Sequence, residues 1–385
     1  MTLDLRTLAV PTAGFAAFVN LYSPQALLPT LAHEFDVSAG EISALITAAT
    51  AAIALTAPFT GALADVLGRK RLIAAAMFAM VVPTLAMTLA TSVPQLIGWR
   101  FLQGMLVPPI FTVTLAYIGE EWPHGEITRM AALFTSGSSF GGFCGRFVTG
   151  AVADLANWRA SFAATALLTL FGAVVVTAAL PPERRFVRSE GLLASSRQML
   201  AHLRNPRLLA IYAVGFGVLF NFTAVFTYVN FHLAAPPYLF PATLLGAIFV
   251  TYLAGSLLVP WVGRAIAMFG RRRFVLGVIA VWIAGDLLLL APPASIIIAG
   301  LAVCAACGLL CQAASTSYVI TTAKGGLSSA VGLYASIFYI GGSAGAFLAG
   351  LAWNAAGWSG CVATIAVMQV IVAMIVAIAW ERSRE

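Results

Sequence analysis

Twelve long stretches of this chain carry almost no charge, and that pattern excludes most folds at the outset. The first runs from about Thr7 to Leu31; the others lie near 43–64, 72–90, 95–118, 129–152, 158–180, 207–232, 242–263, 273–291, 294–317, 327–350 and 356–380. A helix that crosses a bilayer needs about 20 apolar residues, so each run is close to or above spanning length. The breaks between them carry turn formers, as at Ser92-Val93-Pro94, Pro236-Pro237 and Pro292-Pro293. With 61% hydrophobic and 9% charged residues, against about 45–50% and about 25% in soluble domains, a water-soluble core could not hide the apolar surface. The 385 residues leave room for about a dozen spans and no sizeable extramembrane domain. The first run is too long for a signal-peptide core and lacks a small-residue cleavage pattern, so it is read as a span.

The basic residues fix an expected orientation. Of 21 Lys and Arg, all except Arg100, Arg146 and Arg159 fall on one side if both termini are placed inside. The opposite segments hold Glu34, Asp36, Glu41 and Asp154. The net charge of +7 is thus a positive-inside signature spread over short loops, and not the concentrated basic face of a nucleic-acid binder.

One connection is long, from Pro181 to Asn205, and its Leu192, Leu193, Met199, Leu200 and Leu203 among arginines suggest an amphipathic helix on the inner surface. It divides the chain into residues 1–180, a linker at 181–206, and residues 207–385. The two parts repeat. Phe140 to Trp158 lies over Ile340 to Trp358, with Gly141, Gly142, Gly145, Gly150 and Trp158 falling on Gly341, Gly342, Gly345, Gly350 and Trp358. The fold expected is therefore an all-α integral membrane protein of twelve transmembrane helices in two pseudo-symmetric six-helix bundles. Its two-fold axis lies along the membrane normal, with a substrate site at midplane and access alternating between the two sides.

Between the second and third runs stands Gly61 to Arg71, GALADVLGRKR. Asp65 is one helical turn before Arg69, and Gly61 and Gly68 allow close backbone approach and chain reversal. The stretch resembles the loop between helices 2 and 3 of the major facilitator superfamily of secondary transporters. That resemblance implies an inner gate built on Asp65, Gly61, Gly68, Arg69, Lys70 and Arg71. The alternative, a topological anchor, needs only the basic run. A second copy, Gly263 to Arg273, keeps its glycines and basic residues but has Ala267 where Asp65 stood. Glu120-Glu121-Trp122-Pro123 resembles the acidic end of the family's fourth helix, which implies pairing of Glu121 with the hinge, and Arg129 opens the next run.

In the fourth run, Arg100-Phe-Leu-Gln103-Gly104 matches the family's R-x-x-Q-G pattern, in which the arginine is associated with proton coupling. An arginine inside a span costs several kcal/mol unless paired or hydrated; the other reading is that it snorkels to the outer surface. Gly137, Gly141 and Gly145 suit close helix crossing and resemble a degenerate form of the drug:proton antiporter signature, without its proline and with Phe143 and Arg146 intruding.

The polar residues of the first run, Asn20 and Gln25 with Tyr22 and Ser23, include no acid. A cavity lined by these, by Arg100, Gln103 and Arg146, and by Asn221, Tyr228, Asn230, Gln312, Tyr318 and Tyr334 from later runs favours neutral or anionic substrates. Asp286 is the one acid placed inside a span, and it reads as a packing or snorkelling residue. Cys304, Cys307 and Cys311 share a helix face and are candidates for a soft metal, although cysteine also packs as a small apolar residue; no metal site is expected. Gly137 to Gly141 satisfies G-x-S-x-G but lies within a span, with no strand before it. No phosphate-binding loop occurs. The chain is thus expected to be no enzyme and to need no cofactor. The expected function is proton-coupled efflux of small organic molecules or drugs by a monomer in a bacterial cytoplasmic (inner) membrane, with uptake or exchange of an organic anion as the alternative and soft-metal transport after it. The partners expected are the solute, protons and the lipid bilayer.

Overall fold

A computed structural model describes residues 5–183, 199–323 and 327–380. Arg184, Arg185, Arg188, Leu192, Leu193, Arg197, Lys324, Arg382 and Arg384 lie outside the described residues, and with them most of the linker and its expected amphipathic helix. All regular elements among the described residues are helical. They are α1 (Leu5–Leu21), a 3-10 turn at Ser23–Leu27, α2 (Leu28–Glu34), α3 (Ala39–Ile42), α4 (Ala44–Leu67), α5 (Arg69–Ala86), α6 (Val93–Glu121), α7 (His124–Leu155) and α8 (Trp158–Ala179). After the linker come α9 (Pro206–Ala234), α10 (Ala242–Ala247), α11 (Tyr252–Leu258), α12 (Val262–Phe269), α13 (Arg271–Leu288), α14 (Ala294–Thr322) and α15 (Leu327–Ala379).

Helix is forced because a chain in hydrocarbon must satisfy its own backbone. Eight helical stretches among the described residues are long and apolar enough to cross a membrane. The last of them is two rods, since Ala356 and Gly357 leave helical geometry, with Gly357 at φ +61°. Beside these, α1 stops after 17 residues, α7 carries charges in its first turns, and α13 opens on three arginines. With them, every one of the twelve apolar runs lies on helix. Ends are set by local chemistry. Ser38 and Glu41 form a reciprocal capping box at α3, and the side chains of Asn157 and Asn205 accept from the first amides of α8 and α9. Pro94 and Pro206 begin α6 and α9 where a missing N–H does no harm.

The described helices form two compact units. One gathers 5–36, 48–183 and Phe240–Phe249; the other gathers Val37–Thr47, 199–239 and 250–380. Each unit therefore includes a ten- or eleven-residue segment from the other half of the sequence, which a cut at the linker does not foresee.

Within each unit the internal repeat is visible as packing. A Cβ at Gly137, Gly141 or Gly145 of α7 would collide with the backbone of Pro11, Phe15 or Val19 of α1. In the other unit, Gly341 and Gly345 of α15 meet Phe216 and Phe220 of α9 in the same way. Three contacts four residues apart, each against the main chain, mean that the two helices touch with no side chain between them. The segments contributed by the other half use the same device: Gly150 lies on Ala242 and Gly246 on Arg146 in one unit, and Gly350 lies on Gly40 in the other.

Gly61 departs from expectation. A Cβ there would meet nothing within 4 Å, and the same holds at Gly263, so neither provides a close helix crossing. The contrast is testable. Gly141→Leu should force α1 and α7 apart at a cost of about 1–3 kcal/mol, read as a lower melting temperature of the detergent-solubilised protein. Gly61→Ala should stay within about 0.5 kcal/mol of the parent. Equal losses in both variants would refute this account of the packing.

Candidate functional site

Polar side chains gather at three places: the hinge between α4 and α5, the end of α1, and the interior of the second unit. At the hinge the chain reverses through Gly68, whose φ of +83° suits glycine. A side chain there would also strike a carboxylate oxygen of Glu183. That carboxylate accepts the amides of Arg69 at 3.0 Å and Lys70 at 3.4 Å. It thereby satisfies the first orphan donors of α5 and puts negative charge at the helix's positive end. The Arg69 guanidinium is held in a two-point grip by Glu120, with Nε and Nη2 each 2.5 Å from a carboxylate oxygen, and Asp65 stands 3.7 Å away. Arg69 and Asp65 are both nearly buried, at 8% and 9% side-chain exposure.

The expected acid partner is thus corrected: Arg69 pairs with Glu120. Glu121 presents its backbone oxygen to Arg6 at 3.0 Å, while the Arg6 guanidinium lies 4.1 Å above the Trp122 ring. Helical spacing explains the difference, because adjacent residues at the end of α6 point about 100° apart and only one can face α5. Arg129 and Arg71 are exposed, and Arg129 is absent from the Arg69 cluster. Lys70 takes part through its amide. Glu183 was not singled out from sequence, although an acid directly after Pro181-Pro182 in a basic connection was a usable signal.

The second hinge repeats the turn, and among the described residues no acid holds its arginine. Gly270 has φ +76° and α13 starts at Arg271, which donates to Ala314 O at 3.0 Å and Ser317 Oγ at 2.9 Å and stacks over Tyr318 at 4.5 Å. Tyr318 also meets Trp380 edge-on. It therefore belongs to this hinge-end cluster and not to a substrate wall, a correction to the sequence expectation.

Inside the first unit, Arg100 is 0% exposed, which rules out snorkelling. Its Nη1 donates to Asn20 O at 2.9 Å and Gln103 Oε1 at 2.6 Å, and its Nη2 to Leu21 O. These carbonyls are orphans of the C-terminal end of α1, where the helix gives way to the 3-10 turn. Arg100 caps that end with charge of the favourable sign. Gln103 passes the contact on to Thr84 Oγ1 at 2.6 Å, Thr84 donates to Asn20 Oδ1 at 3.0 Å, and Asn20 Nδ2 reaches Thr169 Oγ1 at 2.7 Å. Four helices, α1, α5, α6 and α8, are joined in one buried network.

Arg146, 2% exposed, donates to Gln25 Oε1 and Gly142 O, both at 2.7 Å. Its guanidinium lies 4.5 Å from the Tyr22 ring centre and 4.1 Å from that of Phe249, the arrangement favoured by cation–π attraction. Asp154, two turns on along α7, accepts instead from Ala242 N at 3.1 Å, Thr243 N at 2.7 Å and Thr243 Oγ1 at 2.6 Å, and so caps α10. Phe249 escaped sequence reasoning, because nothing local to it marks a cation partner.

In the second unit, Tyr228 OH donates to Ala346 O at 2.9 Å and lies 2.6 Å from Ser43 Oγ. Asn230 Nδ2 donates to Phe226 O at 2.6 Å. Asn221 Oδ1, Asn230 Oδ1 and the Tyr334 hydroxyl are buried without a hydrogen-bond partner among the described residues, and Gln312 is half-buried. Among the described residues no group of three or more His, Cys, Asp or Glu could hold a metal ion. Cys304 instead donates its thiol proton to Asp286 Oδ1 at 3.3 Å.

Glu120→Gln should weaken the charge-assisted grip on Arg69 by about 1.5–3 kcal/mol. That would raise hydrogen exchange of the Arg69–Arg71 amides about tenfold or more. Asp65→Asn should have a smaller effect, since its pair is longer. Exchange unchanged in Glu120→Gln, or a larger rise in Asp65→Asn, would contradict this ranking.

The chain is similar to known proteins along most of its length. The family model described as Major Facilitator Superfamily matches residues 12–264. The inner membrane transport protein YnfM of Escherichia coli K12 is 30% identical over 373 residues, covering 96% of this chain and 89% of that one. The uncharacterized MFS-type transporter YybF of Bacillus subtilis 168 is 28% identical over 366 residues, covering 95% and 91%. Among solved structures, the nucleoside transporter NupG superposes with a TM-score of 0.78 at 13% identity, over the full length of both chains, a likeness of fold.

Proposed function

Because the chain belongs to the Major Facilitator Superfamily and is a multi-pass membrane transporter of that type, we propose that it exports small organic molecules, neutral or anionic, in exchange for protons. It does so by alternating access in a bacterial cytoplasmic membrane with both termini cytoplasmic, as the distribution of Lys and Arg favours. The observation that carries the substrate class is the sign of the buried charge. Apart from Arg69 at the hinge, the buried polar residues among the described part of the first unit are Arg100 and Arg146 together with Asn, Gln, Ser and Thr, and no acid is among them. A cationic solute would meet two positive charges in low dielectric; an anion or a neutral hydrogen-bonding solute would not.

Arg146 favours an aromatic or planar acid within that class, because Tyr22 and Phe249 already supply faces beside its guanidinium, and a planar fork of donors suits a carboxylate. The same observation supports the second reading, uptake or exchange of an organic anion, which differs in direction and not in site.

The test is substrate-driven proton flux in proteoliposomes over a panel of cationic, neutral and anionic aromatic compounds, read in both membrane orientations. Anionic and neutral members should give flux. Arg146→Gln should weaken anion binding about tenfold or more while changing neutral solutes less. Flux driven mainly by cations, or Arg146→Gln with parent affinity for every anion, would overturn the substrate class.

A further inference from the structure

Of the described residues that are buried, Asp286 is the one acid. It is 1% exposed, on the last turn of α13, which ends at Leu288. Burial removes the snorkelling expected from sequence, and the surroundings do not look like ordinary packing. Oδ1 accepts the Cys304 thiol from α14. Oδ2 has no hydrogen-bond partner among the described residues. The Gln369 amide of α15 faces the same carboxyl, yet neither its Nε2 nor its Oε1 completes a hydrogen bond. One turn back on α13, the indole Nε1 of Trp282 points toward the Cys304 sulfur and is likewise buried without a partner. Four polar atoms from two helices, α13 and α15, therefore lie around the Cys304 thiol of α14 with capacity to spare, and buried polar groups are seldom left this way without a reason.

Among the described residues, the groups that act on Asp286 are the Cys304 and Cys307 thiols of α14 and the Gln369 amide of α15, with the Trp282 indole acting on Cys304; no cation is among them. A carboxylate here would sit in low dielectric without a counter-ion and at the negative end of the α13 dipole. A neutral carboxyl meets neither difficulty, and its O–H has an acceptor ready in Gln369 Oε1. The site also has a way out. Asp286 is within one helical turn, about 5 Å, of the segment 289–293, at the end of the helix opposite the Arg271 hinge. There Trp358 Nε1 donates to Leu289 O at 2.8 Å, which ties this end of α13 to α15.

We propose that Asp286, set between Cys304, Gln369 and Trp282, is the proton-binding site of the transport cycle. It holds a proton while α13, α14 and α15 are packed as here and releases it to water when they part. The step breaks one O–H bond, leaves a carboxylate and transfers H⁺ to water; nothing is oxidised. Spare donors on Gln369 and Trp282 are then available to the carboxylate. This rests on the proton-coupled reading above and names the group that carries it.

The experiment uses the full chain in proteoliposomes with an internal pH dye and the solute that drives proton flux in the parent protein. Asp286→Asn keeps the shape and removes the ionisable group. It should lower solute-driven proton flux at least tenfold and flatten the pH profile of net transport, while solute counterflow, which moves no net proton, stays within about threefold. Asp286→Glu should restore flux and pH dependence in part. Parent-level proton flux in Asp286→Asn overturns the assignment of Asp286 alone; absence of solute-driven flux in the parent protein overturns the coupling reading itself. Should Asp286→Asn fail to fold, isotope-edited infrared spectra of the parent protein decide. A carboxyl O–H band that exchanges with pH and is shifted by Gln369→Leu supports the site, and a carboxyl silent at every pH sinks it.

Discussion

A helix that ends inside a bilayer leaves carbonyls with no water to take them, and the first unit is arranged around that difficulty. α1 stops at Leu21, short of the membrane's full width, and its chain continues as the 3-10 turn Ser23–Leu27. Irregular backbone at this depth is tolerated only where protein satisfies it. Arg100 takes the carbonyls of Asn20 and Leu21, and Thr149 takes that of Ser23 at 2.7 Å. The register of α6 and α7 against α1 is fixed by these contacts as much as by the glycines. Those glycines bring α7 close enough for Thr149 and Arg146 to reach the turn at all. A break of this kind also gives Gln25 and Tyr22 orientations that a continuous helix could not, and both meet Arg146.

The two hinges show how one turn geometry can be held by different forces. Both reverse through a glycine at positive φ and both start the next helix on an arginine that turns toward the end of a long helix. In the first copy the arginine meets two carboxylates and its amide meets a third. In the second it meets a carbonyl, a hydroxyl and a ring. A charge-assisted pair is stronger and more directional than neutral bonds, but a partly exposed one also weakens as salt rises. The first hinge is thus the one whose strength responds to ionic conditions. The loss of Asp65 at Ala267 was visible in sequence; that Arg271 meets neutral partners on α14 while Arg69 meets Glu120 emerges only from the folded contacts.

What sequence could reveal followed the range of each signal. Long apolar runs place every span because membrane insertion depends on one segment at a time. The repeat survives because its glycines act at fixed spacing along one helix, and Gly141 and Gly341 make the same kind of contact. Choices that depend on which way a side chain points were less legible: Glu120 against Glu121, Tyr318 against the cavity, Asp154 toward α10. Gly61 was misread for a related reason, since glycine in a hinge suggests contact whether or not a neighbour is there. Asp286 read from sequence as a packing or snorkelling residue, because its surroundings depend on Gln369, 83 residues away, and on a thiol that packing alone would explain.

The buried charges are divided by unit, and this division constrains any coupling between solute and proton. Among the described residues, the first unit buries cations inside the span and the second buries one acid. A solute anion attracted by Arg146 and a proton held by Asp286 would not compete for the same atoms, unlike ligands that displace one another from a shared carboxylate. Linkage between them must then pass through packing, because each ligand can shift the equilibrium only by its difference in affinity for two arrangements of helices. The elements suited to carry it are those whose contacts are close but carry no ion pair. Val37–Thr47 and Phe240–Phe249 each leave their own half of the sequence and lie on glycines of the other. Their contacts are van der Waals packing, the hydrogen bonds of Ala242 and Thr243 to Asp154 and the face of Phe249 on Arg146, and none of these is an ion pair. A transporter that must visit two states of nearly equal free energy is better served by such seams than by ion pairs in lipid, where breaking one would leave each partner with a desolvation penalty of several kcal/mol.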